Sequence, residues 1–184
     1  MFIQTEETPN PASLKFLPGK TVLGSGTMNF ADAEAAEVSP LAVRLFHIPG
    51  VTNVFFGADF VTVTKAADKD WFMMKPPVLG AIMEHFVSGD PVVHEGAGDT
   101  EAAATDDDEV VLQIKELLDT RVRPAVAMDG GDIVFEGFEN GVVYLQMHGA
   151  CSGCPSSTMT LKAGIENMLR HYIPEVTEVR PVAV

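Results

Sequence analysis

The chain has 184 residues, 46% of them hydrophobic, which suits one large domain or two small ones with packed cores. Its 26 acidic and 12 basic residues give a formal net charge of −14 with no Lys/Arg cluster, which excludes nucleic acid as a partner because phosphate binding needs a basic face. No apolar run approaches the roughly 20 residues that cross a bilayer, and the opening MFIQTEETPN has neither a signal peptide's basic start nor a transit peptide's Arg-rich character, so the expectation is a cytoplasmic, bacterial protein without a membrane partner.

Residues 1–93 read as an α+β unit. FIQTEET and ASLKFLP are expected strands separated by a turn at Pro9 to Pro11, and VTNVFFG and DFVTVTK form a β-branched hairpin turning near Gly57. Helices fit PLAVRLFHI, with Pro40 at its first position, and the stretch around PPVLGAIMEHFVSG, where Val78, Ile82 and Phe86 recur four apart. His47 and His85 are lone histidines on these helices, and no second ligand type clusters with either to make a metal site.

Residues 94–108, HEGAGDTEAAATDDD, carry six acidic residues, no Lys or Arg and no large apolar side chain. Such a segment cannot bury enough surface to offset the ordering of its backbone, so a flexible acidic linker is expected.

Residues 109–184 form the second expected unit. DDDEVVLQIKELLDTRVRP has aspartates suited to a helix N-cap and spaces Val111, Ile114, Leu118 and Val122 along one face, with Pro124 as the stop. Two strands follow around Asn140-Gly141. A strict two-residue turn there puts Glu136 on the same face as Val134, Phe138, Val143, Leu145 and Met147, a conflict that a longer turn or a bulge near Gly137 resolves. After the cysteine loop, Pro155 fits the first position of a helix with Leu161, Ile165, Met168, Leu169 and Tyr172 as its apolar stripe, and VTEVRPV closes the chain as a strand. IPGVTNV at 48–54 and IPEVTEV at 173–179 share five of seven residues, and read as a helix-Pro-strand corner that recurs without a longer repeat. The fold class is α+β, two small α/β-sandwich domains with mainly antiparallel sheets.

Both cysteines of the chain lie in GACSGCPSS, at Cys151 and Cys154. In a reducing compartment such a pair points to metal binding or catalysis, and the Gly- and Ser-rich surroundings offer little core to bury it in. The spacing suits a redox disulfide, half of a zinc site or half of an iron-sulfur site. A loop that leads from a strand into a helix lies near unpaired N–H groups and the positive end of the helix dipole, which favours thiolate in all three cases. The disulfide reading is weakened because a thioredoxin-type site needs further strands after its helix, where this chain has room for one. Zinc sites and cubane clusters want four protein ligands. His148 is a weak third candidate, so the economical arrangement is two chains meeting at this loop, each giving two thiolates. No group reads as a general base or nucleophile for covalent turnover, so an enzyme is not expected.

MDGGDI at 128–133 followed by GACSGCPSS resembles the C-terminal NifU-type domain of the Nfu family of iron-sulfur cluster carriers. TPNPASLKFLPG and LFHIPGVTNVFFGADFVTVTK are similar to the N-terminal domain of the two-domain Nfu proteins, so the resemblance covers nearly all of the chain except the linker. The separate scaffold domain and ferredoxin-like cysteines of the nitrogen-fixation NifU protein are absent from this sequence. The resemblance implies a [4Fe-4S] cluster bridging two chains through Cys151 and Cys154, with [2Fe-2S] or zinc as alternatives. It also implies upstream cluster assembly factors and apo iron-sulfur client proteins as partners, with the N-terminal domain positioning those partners. Asp129, Gly130, Gly131 and Asp132 are expected beside the cysteine loop as a supporting turn, since an EF-hand needs more ligands over a longer loop.

Overall fold

A computed structural model describes residues 1–95, 109–151 and 155–182. The expected linker falls largely outside that set, as do the aspartates expected to cap the following helix. The chain divides into two compact units, Met1–Asp99 and Thr100–Val184. Each is a helix-and-sheet unit, as the α+β reading expects.

The first unit contains β1 (Gln4–Glu7), β2 (Ser13–Leu17), β3 (Met28–Phe30), a 3-10 turn at Ala35–Val38, α1 (Pro40–Phe46), β4 (Val51–Phe56), β5 (Val61–Lys65) and α2 (Trp71–Ser88). The strands make one antiparallel sheet in the order β1-β2-β5-β4-β3. Phe16, Val54, Phe56, Val61 and Val63 from the sheet meet Leu41, Leu45, Val78 and Ile82 from the helices in its core. Ser39 caps α1 by accepting from the Ala42 N–H at 3.1 Å, with Pro40 entering the first turn. Asp70 likewise caps α2 through the Phe72 N–H at 2.8 Å, so that helix starts at Trp71 and carries Pro76 and Pro77 inside it. Both prolines are exposed, and water can meet the carbonyls they leave free. The three-residue β3 pairs with β4 alone among the described residues, and nothing local in the sequence marks it.

The second unit contains α3 (Glu109–Leu117), a π-helical turn (Leu118–Val122), α4 (Arg123–Met128), β6 (Gly131–Glu139), β7 (Val142–Gly149), α5 (Pro155–Tyr172) and β8 (Glu178–Val182). Pro124 does not end the helix as the sequence suggests. The Arg123 N–H reaches back five residues to the Leu118 carbonyl, and the wider turn lets Pro124 enter as a first-turn residue of α4, where no N–H is demanded.

β6 and β7 pair antiparallel around Asn140 and Gly141, at φ 51° and 80°, and β8 adds parallel to β7. The register slips between Phe135 and Gly137, so Glu136 is the extra residue of a bulge and points to solvent. The bulge reverses the alternation: Ile133 and Phe135 face the core before it and Phe138 after it, which moves Val134 off the core face expected for it. On α5 the stripe runs through Ile165 and Leu169 into Ile173, while Tyr172 is 48% exposed with Arg121 over its ring. The two similar heptads make the same corner, with Val51 N–H on the Ile48 carbonyl at 3.3 Å and Val176 N–H on the Ile173 carbonyl at 3.1 Å.

His85 lies on the inner face of α2 and is fully buried, with no hydrogen-bond partner of good geometry at either ring nitrogen among the described residues. Burial first, and then the Arg44 charge, lower its pKa from 6.5, with Asp90 acting in the opposite sense. Below about pH 6.5 the unfolded chain takes up a proton that the folded unit refuses, so stability falls as pH drops from there through the lowered pKa. His85→Leu should flatten this acid limb in thermal unfolding followed from about pH 7 to about pH 5. An unchanged slope would assign the limb to the carboxylates.

Candidate functional site

The pairing of Gly131 with Gly149 sets the open end of the β6–β7 hairpin, and puts the turn before β6 beside the loop after β7. Gly130 and Gly149, at φ 79° and 64°, turn the backbone at both places, and the Ala150 N–H closes on the Gly130 carbonyl at 3.2 Å. The expected neighbourhood of Asp129 to Asp132 and the cysteine loop is therefore what the fold builds.

Cys151 lies at this junction with its sulfur directed at Gly131. A Cβ on Gly131 would collide with Sγ and stand 2.9 Å from the His148 carbonyl oxygen, so only glycine leaves the sulfur its place. The thiol belongs to the core of the second unit, 7% exposed beside the cluster of Ile133, Met147 and Ile165. This departs from the exposed thiolate expected of a Gly- and Ser-rich loop. Burial, and then the Asp129 and Asp132 carboxylates, push its pKa up to about 12, which outweighs the field of the helix that follows. The Cys151 carbonyl accepts from the Thr158 hydroxyl at 3.2 Å, which ties the loop to α5. Cys154, the other expected ligand, lies outside the described residues.

Near the thiol sits an ion pair with a buried carboxylate, which sequence reading missed. Asp132 is 2% exposed and accepts from Arg123 at both oxygens, Nε to Oδ1 at 2.9 Å and Nη2 to Oδ2 at 3.0 Å. Its Oδ1 also accepts from the Ile133 N–H at 2.8 Å, and Arg123 reaches Asp119 at 3.0 Å as well. These bonds, led by the one to Asp132, hold the guanidinium pKa well above its ordinary value. The available signal was an Arg nine residues ahead of an Asp that opens an apolar strand, too little without the hairpin register.

His148 stands opposite Asp132 across the hairpin and is half-buried, with no partner at Nε2 among the described residues. Burial lowers its pKa against the opposing fields of Asp132 and Glu136. His47 and His85 lie in the first unit, on or beside its helices. No group of three or more His, Cys, Asp or Glu converges to hold a metal ion among the described residues, and no helix among them is long and apolar enough to cross a membrane.

Comparison with known proteins matches residues 3–89 to the family described as scaffold protein Nfu/NifU N terminal, and residues 114–180 to the NifU-like domain. The human protein named "NFU1 iron-sulfur cluster scaffold homolog, mitochondrial" is 56% identical over 183 residues, covering 99% of this chain and 72% of its own length. The protein of that name from Drosophila virilis is 58% identical over 185 residues, covering 99% of this chain and 62% of its own. The chain thus spans less than two thirds of some of these relatives and somewhat more of others. A solution structure of a NifU-like protein from Saccharomyces cerevisiae aligns at a TM-score of 0.47 with 27% identity, over 52% of this chain and 86% of that one. The names of these relatives overturn the expectation of a bacterial cytoplasmic protein, since both are mitochondrial. The composition of the opening residues describes those residues and not the compartment.

Two experiments test the packing of this site. Arg123→Ala removes the cation that meets both oxygens of the buried Asp132, and should cost about 2 kcal/mol or more, less than a fully buried pair because Arg123 is 37% exposed. Adding Asp132→Asn should recover part of that loss, measured by chemical unfolding. Gly131→Ala should expel the Cys151 sulfur from the core, seen as much faster labelling of that thiol by a maleimide in a chain where Cys154 is replaced by serine. Unchanged labelling would mean that the strand, not the sulfur, gives way.

Proposed function

The chain belongs to the Nfu family of two-domain NifU-like proteins, and we propose that it carries an iron-sulfur cluster, a [4Fe-4S] cargo held between two chains by Cys151 and Cys154 of each and passed to apo-proteins. The observation that carries the reading is the placement of Cys151 between the Asp129–Asp132 turn and α5, in the part of the chain matched to the NifU-like domain. Two soft thiolates per chain leave a cubane half-liganded, so a second chain completes it. The relatives are named as scaffolds, which agrees with a role in holding and handing on rather than in turnover.

The buried thiol fits this role in one respect and opposes it in another. With a pKa near 12, Cys151 is a neutral thiol in the apo chain at neutral pH and little disposed to react. To ligate iron it must lose that proton and leave the cover of Gly131. Loading therefore releases protons, and retention of the cargo should weaken as pH falls. Delivery proceeds by ligand exchange, as a target's thiolates replace those of the carrier.

The division into residues 1–93, a linker at 94–108 and residues 109–184 belongs to the same proposal. The first domain positions clients, and the linker keeps a docked client at high effective concentration near the cargo.

Protein purified without air should be brown, contain iron and sulfide, and sediment near twice the mass of the apo chain. A colourless zinc form, or a full cluster on a single chain without external thiol, would overturn the reading. Cys151→Ser should abolish loading and also destabilise the second unit by about 1–3 kcal/mol, because a hydroxyl replaces a buried thiol. A fragment of residues 106–184 should load by itself, and transfer its cargo more slowly than the full chain only at low concentration.

A further inference from the structure

Helix α2 is apolar on the side that faces solvent. Phe72, Met73 and Val87 are each more than 70% exposed and Met83 is 40% exposed, opposite an inner face of Met74, Val78, Ile82 and His85. A surface helix that needs no partner carries polar residues there. Along the first half of α2 runs an open groove of about 490 Å³, with residues 2–6 as one wall and Lys75 and Leu79 as the other. The strand in that wall, β1, stands at the edge of its sheet and pairs with β2 alone among the described residues, which leaves its outer N–H and C=O groups without a strand partner there. A free strand edge beside a helix is the arrangement that accepts an extended peptide as an added strand.

We propose that this groove takes an extended segment of a partner protein as a sixth strand on β1. Apolar side chains at alternate positions would lie against Phe2 and Leu79, and lysine or arginine side chains at the intervening positions beside Glu6, whose carboxylate Lys15 meets at 3.4 Å and leaves 53% exposed. Charge decides the occupant. Glu6 and Glu7 are both exposed on the edge, and a second copy of the chain would bring the same two carboxylates into one ribbon, along with its own net charge of −14. The chain's own 94–108 segment has six acidic residues and no large apolar one, so it suits neither the carboxylates nor the apolar wall. A basic and apolar strand suits both, and Lys75 on the helix wall is a donor for its backbone carbonyls.

The proposal deepens the docking role given to the N-terminal domain and rests on it for the partner's identity as a cluster client. The groove argument itself does not depend on the cluster.

The test uses the full apo chain and a capped peptide of alternating lysine and valine, followed by backbone amide NMR. Saturable shifts are expected at Gln4 to Glu7 and around Lys75 to Leu79, with binding about tenfold tighter than for an alternating glutamate and valine peptide. A proline at the centre of the peptide should abolish the shifts, and Phe2→Ser should weaken binding severalfold without cost to the fold, since Phe2 is 81% exposed. No shifts at β1, equal response to the two peptides, or indifference to the proline would each overturn the proposal. Concentration-dependent shifts at β1 without peptide would overturn it in favour of self-association. Because no cluster is present, a protein that never loads one would still give a readable result, and a loading protein that ignores the peptide would refute the groove alone.

Discussion

The second unit is organised around a place where no side chain fits. Gly131 pairs with Gly149, and the Cys151 sulfur occupies the volume that a Cβ on Gly131 would take. That contact fixes the distance between the turn before β6 and the loop after β7, and with it the register of the hairpin. Since a slip of one residue would move every side chain to the other face, the glycine pair and the Glu136 bulge together decide which residues form the core. Ile133, Leu145 and Met147 point inward because of that decision, and Asp132 comes to lie next to the thiol.

Burying Asp132 creates a demand that the helical segment has to meet. A carboxylate 2% exposed needs a charged partner with several donors, and Arg123 supplies two hydrogen bonds in a fork. Arg123 stands where the π-helical turn gives way to α4, the residue before Pro124. The irregular turn thus does two things with one change of geometry: it admits a proline without ending the helix, and it presents the guanidinium to the strand. The neutralised carboxylate also limits the negative field at Cys151, although burial still keeps that thiol protonated.

How much of this could be read beforehand depends on whether the signal was local. Asn140-Gly141 marks the hairpin turn because both residues accept positive φ, and the parity conflict at Glu136 calls for a longer turn or a bulge, of which the fold has the bulge. The direction in which that bulge moves the face is not legible, so the sequence puts Val134 in a core that Ile133 and Phe135 occupy. Pro124 misled for the same reason: its effect depends on a backbone bond from Arg123 to Leu118 that no residue type announces. The pairing of the Asp-Gly-Gly-Asp turn with the cysteine loop followed from resemblance, while the burial of Cys151 depends on a glycine twenty residues earlier in sequence, across the hairpin. Composition reported a Gly- and Ser-rich loop as exposed, because composition cannot see what packs against it.

A carrier has to satisfy two opposed conditions, stable enough to hold its cargo and weak enough to give it up, and the placement of Cys151 bears on both. If the cargo is a cluster, the apo state is favoured by every term that raises the thiol pKa: burial, and the carboxylates of Asp129 and Asp132. Those terms subtract from the affinity of the loaded state without touching the iron-sulfur bonds, since the sulfur regains its core contacts and its proton when the metal leaves. A thiol that has somewhere apolar to return to is a better leaving ligand than one fixed in water. On that reading, the same geometry that makes Gly131 indispensable to packing would also ease release, and structure and function in this unit would constrain each other through one missing methyl group.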